Sequence, residues 1–101
     1  MDINKLMQQA KQMSEQLEQA NKEITAMLFE GSASNGLVKV VVNGDHQIQS
    51  IDISKNIINP DDKEMIEDLI MIATNEAISK ADDAKKNKFG SMASSLGLPK
   101  F

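Results

Sequence analysis

The chain has 101 residues, a formal charge of −4, 41% hydrophobic residues, three phenylalanines as its only aromatics and no cysteine. That length suits one domain, that apolar content excludes a disordered chain, and disulfide or cysteine-zinc scaffolds are excluded. Few aromatics argue against a base-stacking platform for single strands, and the acidic balance leaves any nucleic-acid contact to local charge.

The opening MDINKLMQQAKQ lacks the apolar core of a signal peptide. The longest apolar run, in LIMIA, falls far short of the roughly 20 residues a membrane span requires. A soluble, reducing, cytoplasmic setting with no membrane partner is the expectation.

A first helix is expected from about Ile3 to Met27. Leu6, Ala10, Met13, Leu17, Ala20 and Ile24 recur at alternating steps of four and three, the narrow seam of a heptad. Such a stripe suits another helix better than a broad sheet. At 1.5 Å per residue the helix reaches about 35 Å, longer than a compact domain of this size needs. It therefore reads as a projecting arm.

A short antiparallel sheet follows. Its first strand lies around Met27 to Ala33, with Gly31 to Gly36 reading as a turn or strand end. Leu37 to Val42 is β-branched and central. Val38, Val40 and Val42 face one way, and Leu37 and Val41 the other. Asn43-Gly44 signals a hairpin, because both residues tolerate positive φ. The third strand, Ile48 to Ile53, is expected to place Gln49, Ile51 and Ile53 on one face and Ile48, Ser50 and Asp52 on the other.

Asn59-Pro60-Asp61-Asp62 starts a second helix: a capping side chain, a proline in the first turn, then acids at the positive end of the helix dipole. Its middle, Met65-Ile66 and Leu69 to Ala73, is apolar around most of its circumference, too wide for one small sheet. The surplus is expected to bury against a second subunit, with Val41, Leu69, Ile70, Ile72 and Ala73 as interface residues. The helix is expected to fray near Phe89-Gly90. Residues 1–89 then form one domain, and 90–101 a flexible Ser/Gly-rich tail.

The sequence assembles no catalytic set. It has no phosphate-binding glycine loop, no nucleophile elbow and a single histidine. Asp61, Asp62, Glu64, Glu67 and Asp68 lack calcium-loop spacing and read as a solvated helix start. His46, beside Asp45, reads as an exposed turn residue. No enzyme, metal, cofactor or small-molecule substrate is expected. Lysine is distributed more tellingly. Residues 79–101 hold five lysines against two aspartates, a net of +3, whereas residues 61–78 hold one lysine against six acids, a net of −5. The basic end can grip phosphate, although lysines there also complement the helix dipole. The chain has no arginine, so bidentate guanine readout by Arg is absent.

LVKVVVNG from Leu37, the strand ending IDIS, NPDDKEMIEDLI running into ATNEAISKADD, the opening KLMQQAKQMSEQLEQ and the close LGLPKF together resemble the YbaB/EbfC family of bacterial nucleoid-associated proteins. The resemblance covers nearly the whole chain, without the Gly-rich leader that many relatives carry. It implies an α+β fold in α-β-β-β-α order, an intertwined homodimer with projecting helical arms, and binding to double-stranded DNA in the nucleoid. The expected phosphate contacts are Lys5, Lys11, Lys80, Lys85, Lys86 and Lys88, with low sequence specificity. The competing reading is a dimeric scaffold that binds a protein through its arms or tail.

Overall fold

The structure, a computed structural model, describes residues 2–95. The order is a helix α1 (Ile3–Ala26), strands β1 (Phe29–Ala33), β2 (Val38–Val42) and β3 (Ile48–Ile53), two 3-10 turns (Lys55–Ile57 and Pro60–Asp62), and a helix α2 (Lys63–Ser95). The strands form one antiparallel sheet in the order β1-β2-β3. This is the α-β-β-β-α fold that the resemblance implies.

The core lies between α2 and one sheet face. Val38, Val40 and Val42 are fully buried there with Phe29 and Ala33, beneath Ala73, Ala77 and Ala81. Three alanines one turn apart give α2 a flat, shallow face, so its backbone comes close to the strands. Gly31 marks the closest approach. A Cβ at that position would overlap the Ala73 carbonyl and the Ala77 amide. Gly31 therefore belongs within the strand, paired with Val40, and the turn is confined to residues 34–37. Ser34, Asn35 and Gly36 there take positive φ of 53°, 58° and 86°. Lys80 closes the other side of this contact, its Nζ donating to the Glu30 carbonyl at 2.8 Å.

β3 departs from the expected alternation. Val38 pairs with Ile53, Val40 with Ile51 and Val41 with Ser50, but Val42 pairs with Ile48. Gln49 is the extra residue of a bulge. Cross-strand partners share a sheet face, so Ile48 joins Ile51 and Ile53 on the side of the buried valines instead of lying opposite them. Because α2 lies across β1 and β2, Ile48 and Ile51 stay 50% and 47% exposed.

The hairpin between β2 and β3 is also built differently from the Asn-Gly expectation. Neither Asn43 nor Gly44 has positive φ; His46 does, at 64°. The Asn43 Oδ1 accepts from the amides of Asp45 (2.9 Å) and Gln47 (3.0 Å), and the His46 amide donates to the Asn43 carbonyl at 3.1 Å. Asn43 thus folds the loop with its own side chain. Gly44 serves another purpose, since a Cβ there would overlap Ile24 of α1.

Asp2 caps α1, accepting from the Asn4 amide at 3.1 Å. Asn59 caps the turn ahead of α2 in the same way, accepting from Asp61 at 3.0 Å. α2 does not stop near Phe89-Gly90 but runs on to Ser95. A single glycine costs a helix only about 1 kcal/mol, and no proline intervenes before Pro99. The helix therefore takes in residues 90–95 of the expected tail, and residues 96–101 lie outside the described part.

The Cα radius of gyration, 19.6 Å, well exceeds the roughly 13 Å of a compact chain this long. α2 covers about 38 Å from Lys63 to Lys88, and α1 about 30 Å from Glu23 back to Ile3. Laid end to end, these nearly fill the 71 Å long axis, and the other axes, 22 and 16 Å, leave no room for splaying. The outer part of α1 therefore projects as an arm along the line of α2.

Gly31→Ala should cost at least about 3 kcal/mol, because backbone must move to admit the methyl group. Gly90→Ala, where nothing lies within 4 Å of the added carbon, should be neutral or raise stability by up to about 1 kcal/mol. Urea denaturation followed by circular dichroism measures both.

Candidate nucleic-acid interface

Three segments meet at the hairpin. Ile24 of α1 seats on Gly44, and Thr25 Oγ1 donates to Asp45 Oδ1 at 3.2 Å. From α2, Asp82 Oδ1 lies 2.7 Å from His46 Nε2. Two turns further along α2, Lys88 donates to Glu23 of α1. His46 is therefore more than an exposed turn residue: it ties the hairpin to α2. The positive φ that points its ring there favours Asn, Asp and Gly over most side chains.

The same contacts set the directions of the helices. α2 runs away from the hairpin and α1 runs toward it, so the two lie antiparallel. The ammonium of Lys88 holds the Glu23 carboxyl below its usual range, with the Gln19 amide adding a weaker hydrogen bond. Both partners remain substantially exposed to water.

The candidate lysines fall into two groups. Lys80 is held by the Glu30 carbonyl and by Glu76 at 3.5 Å, and Lys88 by Glu23. Lys5, Lys11, Lys85 and Lys86 make no ion pair among the described residues. Lys5, Lys11 and Lys86 are exposed, and Lys85 is half-buried. The acids Asp61, Asp62, Glu64, Glu67 and Asp68 sit at the other end of α2, about 30 Å from Lys85. There Lys63 pairs with Glu67 at 2.7 Å. Among the described residues, no three His, Asp or Glu side chains converge on a metal-binding position, and no helix is long and apolar enough to cross a membrane.

The interface residues expected from the sequence are dispersed. Ala73 is 0% exposed, spent inside the chain's own core against β1, and has no surface to offer a partner. Leu69 and Ile70 are half-buried against that core, while Ile72 is 54% exposed on α2. Val41 is half-buried on the opposite sheet face. Ile48 and Ile51 were absent from the expected set. The bulge that places Ile48 with Ile51 leaves no mark in the alternation.

This arrangement defines a small α+β protein with one covered sheet face and a helical arm; of the six candidate lysines, the four that make no ion pair among the described residues lie on the arm and on the distal half of α2. The chain belongs to the YbaB/EbfC DNA-binding family, whose model matches residues 1–96. It is 40% identical over 99 residues to a nucleoid-associated protein of Desulfotalea psychrophila, covering 98% of this chain and 93% of that one. It is 38% identical over 99 residues to a nucleoid-associated protein of Clostridium novyi, covering 98% and 87%. An uncharacterized protein of Helicobacter pylori has a crystal structure with the same fold, at a TM-score of 0.78 and 22% identity, covering 91% of this chain and 97% of that one.

The lowered Glu23 pKa makes the Lys88 contact acid-sensitive. A depressed carboxylate contributes stability above its unfolded pKa, and that contribution is lost as pH falls through the folded pKa. Melting temperature against pH should therefore separate the parent from Glu23→Gln at neutral pH, with the parent higher. The two curves should converge once pH drops below the glutamate range.

Proposed function

We propose that the protein binds double-stranded DNA as a homodimer, through lysine–phosphate contacts of low sequence specificity, and so acts in the nucleoid. The observation that carries this reading is the pair Lys85 and Lys86. They are unpaired among the described residues and stand on the distal half of α2, far from its acidic start, in a chain of a DNA-binding family. Lys5 and Lys11 on α1 add two more ammonium groups without an ion pair among the described residues, about 20 to 30 Å further along the arm. Lys80 and Lys88 add charge, but their ammonium groups are already held by Glu30, Glu76 and Glu23. They rank below the other four as direct contacts.

A homodimer is supported by apolar surface that one chain leaves uncovered. Ile48 and Ile51 on β3 and Met71 and Ile72 on α2 are all about half exposed. A solubly expressed monomer seldom carries that much large apolar surface on one small body. Leu69 and Ile70 adjoin it as half-buried contributors, whereas Val41 lies on the other sheet face. Ile51→Asp with Ile72→Asp should break this sheet-based contact and lower the sedimenting mass below that of the parent, while circular dichroism shows the buried valine core intact. An unchanged mass would place the interface elsewhere.

DNA binding is tested by its salt dependence. Each lysine–phosphate contact releases condensed counterions and contributes about −0.9 to the slope of log affinity against log salt. Four to eight contacts per dimer weaken binding by about 150-fold to 20,000-fold between 50 and 200 mM salt. Lys85→Gln with Lys86→Gln should make the slope shallower by about two to four, whereas Lys80→Gln should leave it nearly unchanged. Unrelated duplexes of equal length should bind alike, since no arginine reads guanine. Absence of binding by the parent at low salt would instead favour the scaffold reading.

A further inference from the structure

Among the described residues, nothing covers the outer half of α1. Ile3 and Met7 are 71% and 65% exposed, and Leu6 and Met13 are exposed beside them. Yet Ile3, Leu6 and Met13 lie on the seam whose inner end, Ala20 and Ile24, is buried. Beyond the Asp2 cap, residues 3–17 take part in no ion pair among the described residues. An isolated helix of about this length is marginal in water, so the arm needs a packing partner.

We propose that residues 3–13 pair with the same residues of a second copy, antiparallel, about a two-fold axis level with Gln8. The spacing of large and small residues carries this. In that register Leu6 stands opposite Ala10 of the other copy, Ala10 opposite Leu6, and Ile3 and Met13 opposite each other. Each small residue meets a large one, which is how facing layers interdigitate without voids. Met7 and Gln9 flank the seam on its two sides, each near its own counterpart. This gives Met7, otherwise exposed off the main stripe, an apolar neighbour. A parallel, in-register pair would instead set Ala10 on Ala10, leaving a gap between layers of Leu6 and Met13.

The geometry separates this contact from the sheet-based one. Antiparallel arms overlapping over about 15 Å carry their sheets at opposite ends, so Ile51 and Ile72 of the two chains stay far apart. Two different two-fold contacts on one chain generate an open row of molecules or a closed ring. That last step rests on the homodimer proposed above; the arm pairing itself does not.

The chain has no cysteine, so disulfide mapping has no background. Full-length Leu6→Cys and Ala10→Cys variants, carrying different tags, are mixed and mildly oxidised. The mixed 6–10 disulfide should predominate over 6–6 and 10–10 links. Predominance of the like-to-like links, or no cross-link at any concentration, overturns the proposal. Sedimentation separates the two contacts. With Ile51→Asp and Ile72→Asp in place, the arm-paired species should remain, and adding Leu6→Asp should reduce it to one chain. In the parent background, Leu6→Asp should abolish growth of mass beyond the dimer. If Leu6→Asp leaves mass unchanged in both backgrounds, the arm pairing is wrong. If only the Ile51 and Ile72 changes have no effect, the arm pairing stands and the sheet-based dimer falls. Circular dichroism of each variant checks that the sheet and α2 stay folded.

Discussion

The structure turns on the hairpin at residues 43–47. α1 has few other holds on the body, and it meets the hairpin where Gly44 offers bare backbone to Ile24. α2 passes the same loop and is fastened to it by His46 and Asp82. A loop that carries two helices must be stiff. Asn43 makes it so by satisfying the amides of Asp45 and Gln47 with one carboxamide oxygen. The direction of the arm relative to the sheet is therefore set at this loop, by the seat of Ile24 on Gly44 together with the polar contacts of Thr25 and Glu23, while the buried valine core anchors the platform beneath.

Much of this fold was legible in the sequence because helix seams and β-branched runs are periodic signals. The heptad steps from Leu6 to Ile24 gave the arm, and Val38 to Val42 the central strand. What stayed hidden lacks a period. The bulge at Gln49 depends on how β3 meets β2, and the alternation of Ile48 to Ile53 alone points to the wrong face. Asn43-Gly44 was a correct turn signal with the wrong cause, because the glycine answers a helix twenty residues upstream. Ala73 belongs to the apolar belt of α2 by sequence, but only the close approach at Gly31 shows that the belt's inner side is already filled. Gly90 is a weak helix stop with nothing nearby to enforce it.

The candidate site was legible as a charge gradient and no further. Composition places lysines late in α2, but it cannot tell a lysine that is held from one that is free. Lys80 reaches the Glu30 carbonyl fifty residues away in sequence, and Lys88 reaches Glu23 at sixty-five. Both partnerships arise from tertiary packing. The family adds what no residue count supplies, a link to DNA binding, and the fold shows which of the expected lysines already hold a carboxylate or a carbonyl.

The contact between Lys80 and Glu30 has a consequence for how the protein behaves in a crowded cell. An unpaired strand edge recruits stray strands from other chains and seeds aggregates. β1 is one of the two edges of this sheet, and an ammonium group occupies one of its outward carbonyls. A charge held at that position makes pairing with an incoming strand cost a desolvated cation. β3, exposed along most of its length, has no such guard among the described residues. The sheet is thus asymmetric in its hazard: one margin is protected by its own helix, and the other depends on being occupied.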